Sequence, residues 1–170
     1  SGVINNPKVW SAGLPSAANP GTIDVNGKWT VGENLDGWTV TQSAGRIESR
    51  SRHLQLTGGT VWTLAGGELS TVGDFSVRVG QPKSPAALTM SGGKISGGNY
   101  FDVPQTFTMS GGEITAMHFR ISDGGSATIS AGTAAFAGDM ILGNGGTKLT
   151  LNGGDFSIAG KMTFTATATR

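Results

Sequence analysis

Apolar and polar residues alternate along this chain in short bursts separated by glycine. The sharpest burst reads apolar, Thr, apolar, small, Gly, Gly, charged, apolar. It occupies residues 88–95 and returns at 107–114, 62–69 and 149–156. Looser copies stand at 127–132 and at 38–40 leading to 44–47, and the faintest is at 23–27. A second alternating segment follows each burst, at 77–80, 101–104, 119–122, 140–143 and 162–165, with earlier copies at 54–57 and 29–32. Successive side chains of a strand point to opposite faces, so this period of two predicts strands. No segment sustains a helical period over ~11 residues. Turn signals such as Asp123-Gly124-Gly125 and Asn144-Gly145-Gly146 lead into the next copy.

Two strands and Gly-rich corners recurring every 21 residues or so predict an all-β chain. Its fold is expected to be a single parallel β-helix, a β-solenoid of about seven coils, right-handed as parallel crossovers usually are. One coil cannot bury its own apolar side chains; stacking buries them. Seven coils at ~4.8 Å each make a rod about 34 Å long. Residues 1–22 hold Pro7, Pro15, Pro20 and Trp10 outside the repeat, and are expected to form an N-terminal cap or linker to a β-helix domain at 23–170. The stretch from Thr163 to Arg170 reads as strand and is expected to leave an open edge.

A constant register assigns faces. The outward row of the first strand is expected to be Asp24, Thr39, Thr63, Thr89, Thr108, Thr128 and Thr150. After the Gly pair come Arg46, Glu68, Lys94 and Glu113, whose alternating signs suit an inter-coil ladder. The outward row of the second strand is expected to be Thr30, Gln55, Arg78, Asp102, Arg120, Ile141 and Thr163. One step earlier the row reads Lys28, His53, Ser76, Tyr100, His118, Asp139 and Lys161. Trp29, Trp38 and Trp62 are expected to point inward.

Composition narrows the function classes. The chain has 170 residues, 36% hydrophobic, with 29 glycines, only 14% charged residues and a net charge of +1. That balance lacks the basic face a nucleic-acid binder needs. With no cysteine, disulfides and thiolate metal sites are excluded. No run of ~18 apolar residues predicts a membrane-spanning helix. No signal peptide is legible, and the chain reads as a module of a larger secreted or cell-surface bacterial protein.

The row that gathers both histidines and the only tyrosine is the candidate ligand face. Tyr100, His118, His53, Arg78, Asp102, Arg120 and Gln55 would offer rings for sugar C–H faces and polar groups for hydroxyls. Trp10, outside the repeat, is a further candidate platform. Arg78, Asp102 and Arg120 also suit a plain salt ladder between coils. No catalytic pair is expected. Glycosidases need two carboxylates about 5–9 Å apart, and two arginine neighbours make Asp102 an ion-pair partner, not a proton donor. Asp102, Asp123 and Asp139 are too scattered for the Ca²⁺ cage of a lyase. No cofactor and no metal is expected.

The phrase Thr-Met-Ser-Gly-Gly-Lys/Glu-Ile, at 89–95 and 108–114, resembles the Gly-rich repeats of bacterial cell-surface β-helices and autotransporter passengers. The resemblance spans roughly residues 38–165. A solenoid of this small size looks most like a β-helical carbohydrate-binding module. That resemblance implies a monomeric, non-catalytic binder of plant cell-wall polysaccharide, xylan or β-glucan, which targets a covalently linked glycoside hydrolase domain, with no nucleic-acid or membrane partner. It carries no site residue over. A structural stalk or adhesin segment is the alternative; a polysaccharide lyase and an ice binder stand behind it. The last rests on Thr39-x-Thr41, Thr89-x-Ser91, Thr108-x-Ser110 and Thr128-x-Ser130, a hydroxyl array interrupted by Ala65 and Asn152.

Overall fold

The computed structural model of the chain describes residues 2–11 and 13–165. It is an all-β parallel solenoid of about seven turns, with about 22 residues between equivalent positions. Every pairing between its named strands is parallel, for example Ala87 to Met90 against Thr106 to Met109.

Each coil contributes three strands, where the alternation predicted two. The first column holds Gly21–Ile23, Thr39–Gln42, Thr60–Leu64, Ala86–Met90, the opening halves of Thr106–Ala116 and Ser126–Phe136, and Lys148–Leu151. The charged-apolar segments after the Gly pair are strands in their own right and form the second column. Lys28–Thr30, Arg46–Ser49, Glu68–Thr71, Lys94–Ser96 and Asp155–Ile158 belong to it. The third column contains Leu35–Asp36, Leu54–Thr57, Val77–Val79, Tyr100–Val103, His118–Ile121, Met140–Leu142 and Met162–Phe164.

The corner between the first two columns explains the Gly pairs. Gly45, Gly67, Gly93, Gly112, Gly132 and Gly154 all have left-handed backbone, with φ between 72° and 90°. They also stack directly: a Cβ on Gly112 would stand 2.7 Å from the Gly93 carbonyl oxygen. Only glycine meets both demands.

Two coils are registered differently from the expectation. Thr22 pairs with Thr41, and Thr41 with Thr63. The outward row of the first column is therefore Thr22, Thr41, Thr63, Thr89, Thr108, Thr128 and Thr150, without Asp24 or Thr39. A slip of two residues preserves the alternation, so Trp38-Thr39-Val40 imitates the phrase that Val40-Thr41-Gln42 really occupies. The disguise is Gln42, a polar residue in an inward position and fully buried. Its amide donates to the carbonyls of Ala44, Gly45 and Glu68 and accepts from the Trp62 indole. Satisfied on every side, it replaces an apolar residue without the usual cost of burial. Thr30, expected in the last strand of its coil, lies in the second column against Glu48. The third column there is Leu35–Asp36.

The interior is a continuous apolar column. Val40, Trp62, Leu88, Phe107 and Ala127 rise from the first strands; Ile47, Leu69, Ile95, Ile114 and Ala134 from the second. Phe101, Phe119 and Phe136 stack at 5.9 and 4.8 Å between ring centroids. Trp62 is fully buried and Trp38 nearly so, as their inward placement predicts; Trp29 is half-buried against the core.

The two ends differ. At the N-terminal end Gly2–Val3 adds a partial rung beside Trp29 and Thr30. Ile4 is buried and accepts, through its carbonyl, the indole N–H of Trp10. At the other end Lys148–Leu151, Asp155–Ile158 and Met162–Phe164 are paired on one side only among the described residues. Phe164 is 69% exposed. Residues 166–170 of the expected terminal strand lie outside the described residues.

Candidate functional site

The third column positions most of the predicted ligand residues. Gln55, Arg78, Asp102, Arg120, Ile141 and Thr163 follow one another in strict register. One step earlier, Tyr100 faces His118 directly.

That earlier row stands where the chain enters the strand, and it has a structural duty. His53 Nδ1 accepts the N–H of Ser76 at 2.9 Å, and Ser76 Oγ accepts the N–H of Tyr100 at 3.3 Å. His118 Nδ1 accepts the N–H of Asp139 at 2.9 Å, and Asp139 Oδ1 accepts that of Lys161 at 2.8 Å. Each side chain thus caps the backbone of the next coil, leaving the Nε2 side of each imidazole for other partners. Burial lowers the His53 pKa below its ordinary value, and Arg78 pushes it further in that direction.

Above Tyr100 the row becomes a stack. The Tyr100 and His118 rings lie 4.9 Å apart at 31°, and the Arg120 guanidinium carbon stands 4.9 Å from the Tyr100 centroid. Arg120 is fixed from the other side by Asp102, with Nε to Oδ1 at 2.9 Å and Nη2 to Oδ2 at 2.7 Å. Arg78 Nε reaches Asp102 Oδ2 at 2.8 Å. Asp102 is 1% exposed, so this is a roofed ion triad, where a surface ladder was expected. Its hydrogen bonds to Asp102 raise the Arg120 pKa still higher. Arg78 is bound to Asp102 through Nε alone, so its terminal nitrogens remain available.

Beside the triad opens a groove of about 290 Å³, lined by Arg78, Pro82, Pro104, Arg120, Ser122 and Asp123 over Asp102. Pro82 comes from the insert at 80–85, which carries the Gln81–Ser84 bridge. The insert is anchored on both sides: Gln81 donates to Gln55 at 2.6 Å, and Gln105 donates to the Gln81 carbonyl at 3.0 Å. Asp123 enters through a left-handed turn, φ 55°. Pro82, Pro104 and Ser122 were not singled out as ligand residues from the sequence, and Asp123 was weighed only as a turn residue and a Ca²⁺ carboxylate. The uneven spacing between the bursts at 62 and 88 and the Asp-Gly-Gly turn were the available signals.

The structure therefore brings together Tyr100, His118, Arg120, Asp102 and Arg78, with Gln55 at the lower edge. His53 shares their column but is separated from Tyr100 by Ser76. Trp10 does not join them. It packs edge-on against Trp38 at 5.7 Å and borders a separate polar cleft with Ser11, Asn19, Thr22 and Asp24 at the N-terminal end.

Among the described residues no group of three His, Cys, Asp or Glu side chains is gathered to hold a metal ion. No helix among them is long and apolar enough to cross a membrane. Comparison with protein-family models, curated proteins and solved structures finds no match for this chain.

Proposed function

We propose that the third-column face is a polysaccharide-binding surface of a non-catalytic, monomeric module. In this reading it belongs with the β-helical carbohydrate-binding modules and targets a linked glycoside hydrolase to xylan or β-glucan outside a bacterial cell. The observation that carries the reading is the ordered stack of Tyr100, His118 and Arg120 beside a groove with free guanidinium, hydroxyl and carboxylate groups. A sugar ring needs an apolar platform for its C–H face and fixed donors and acceptors at its edge. The groove residues Arg78, Arg120, Asp102 and Asp123 balance in formal charge, which suits a neutral glycan better than a polyanion. Asp102 gives its oxygens to two guanidiniums, a supporting role instead of acid–base work.

Affinity gel electrophoresis against xylan, β-glucan, mannan and pectin tests the reading. Retardation on a neutral glycan, lost in Tyr100→Ala and His118→Ala with the fold intact, is the expected result. Migration unaltered by every polysaccharide would refute it and favour a stalk or adhesin segment. Release of reducing or unsaturated sugars would make the module an enzyme.

A further inference from the structure

The first column carries a row that the polysaccharide reading does not use. Its seven outward positions are all threonine, and each pairs in register with the next from Thr22 to Thr150. Six intervals at the ~4.8 Å separation of hydrogen-bonded strands extend the row over about 29 Å. Each threonine presents one methyl and one hydroxyl on a β-branched stem with few χ1 choices, so the array is rigid as well as periodic.

Strand propensity alone does not demand such uniformity. The neighbouring row of the same strands drifts through Thr39, Val61, Ala87, Thr106, Ser126 and Lys148. A generic exposed β position accepts that variety, yet the central row never departs from threonine. Among the described residues, no hydroxyl of the row is hydrogen-bonded to a protein side chain or carbonyl. The hydroxyls are left to water. The two flanking rows are mostly small or hydroxylated, and their two charges, Asp24 and Lys148, stand at opposite ends of the array.

We propose that this threonine face binds ice. The ligand it fits is a lattice, not a molecule. A repeated ligand needs a repeated site, and the only repeat here is the strand separation, which lies close to the in-plane lattice repeat of ice, itself longer than one hydrogen-bonded water–water distance. Alternating methyls and hydroxyls let water order over the face: the methyls leave it uncoordinated, and the hydroxyls anchor it at regular intervals. A charged row would instead hold a tight, ion-centred hydration shell. The second column shows that contrast within this molecule, with Arg46, Glu68, Lys94 and Glu113 in sequence along one row.

The test uses the whole chain in supercooled water seeded with a single ice crystal. Thermal hysteresis and inhibited recrystallisation are the expected results, with both lost in Thr108→Arg, which sets a long cation in the middle of the row. Far-UV circular dichroism and the melting temperature of that variant are expected to match the parent. Tyr100→Ala, on the other face, is expected to keep full ice activity while losing polysaccharide retention. The inference is overturned if the parent chain shows neither effect, if folded Thr108→Arg is as active as the parent, or if Tyr100→Ala abolishes the ice effect.

Discussion

The threonine face and the third-column face are built on the same coils, yet one repeats and the other does not. Along the first column every coil offers the same group, Thr22 through Thr150. Along the third, consecutive coils offer Gln55, Arg78, Asp102, Arg120 and Ile141. The backbone supplies the same translation to both. Side chains decide whether that translation is kept or broken. A kept translation suits an unbounded ligand, whereas a broken one defines a finite place. The finite place sits where the coil itself is irregular, since the insert at 80–85 supplies Pro82 and is tied to Gln55 and Gln105.

The two faces also differ in how deeply they are joined to the fold, and the largest expected effect probes this. Asp102 is buried and holds two arginines from the coils on either side. Asp102→Ala is expected to cost about 3 kcal/mol, because it opens a cavity at a buried position and leaves two part-buried guanidiniums without their carboxylate. Thr108→Arg, on the repeating face, is expected to change stability by less than about 0.5 kcal/mol. Urea unfolding of both variants measures the contrast. Equal costs would mean that the third face is as detachable from the core as the first.

A second buried carboxylate sharpens the point, because it lies in the second column, apart from the groove beside Asp102. Glu48 in the second column is 3% exposed at its side chain and receives Lys28 at 3.1 Å, Arg46 at 2.9 Å and Arg50. Burial pushes its pKa up, but Arg50, Lys28 and Arg46 together outweigh burial and hold it below the ordinary value. A carboxyl depressed in the folded state stabilises the fold above its unfolded pKa and loses that contribution as pH falls through the folded one. Glu48→Gln is expected to cost about 2 kcal/mol at neutral pH and to flatten the acid limb of the stability profile. Parent and variant losing stability in parallel below the carboxylate range would remove Glu48 as its source.

Much of this was legible from the chain, and the failures have physical causes. Coils, Gly corners, inward tryptophans and the Tyr100–His118 neighbourhood follow from repetition, because a constant register carries each role up one rung. The third strand per coil was hidden because charged-apolar segments such as Lys94–Ser96 are too short to show alternation. The threonine row was misread at its lower end because Gln42 is a buried polar residue paid for by local carbonyls. The walls of the groove were hidden because inserts and turns, not the repeat, provide them. Repetition reports what coils share, and the candidate site is made of what they do not share.

A smaller expected effect separates binding from scaffolding on the third face. Tyr100 is half-buried, and its ring meets His118 and Arg120, both from the next coil. Tyr100→Ala removes the platform while its backbone N–H keeps the Ser76 hydroxyl as acceptor. Loss of retardation on xylan or β-glucan with a shift of about 1 kcal/mol in stability is the expected pattern. A shift as large as that of Asp102→Ala would mark Tyr100 as a structural strut.

The smallest effect concerns acid, and it distinguishes the faces by what can titrate. The threonine row holds no ionisable group, whereas the row at the entry to the third-column strands includes His53, whose pKa is lowered by burial and then by Arg78. As pH falls through the ordinary imidazole range, the unfolded chain takes up a proton that the folded chain resists. The unfolded state then binds more protons, so stability declines with falling pH until the depressed folded value is reached. Protonation of Nδ1 would also remove the acceptor of the Ser76 N–H. His53→Asn keeps a side-chain oxygen in reach of that N–H and has no proton to exchange, so its stability is expected to be level over the same interval. Unfolding free energies measured across the imidazole range decide the matter. A slope that persists undiminished in His53→Asn would place the proton uptake elsewhere and leave His53 a cap without a role in acid sensitivity.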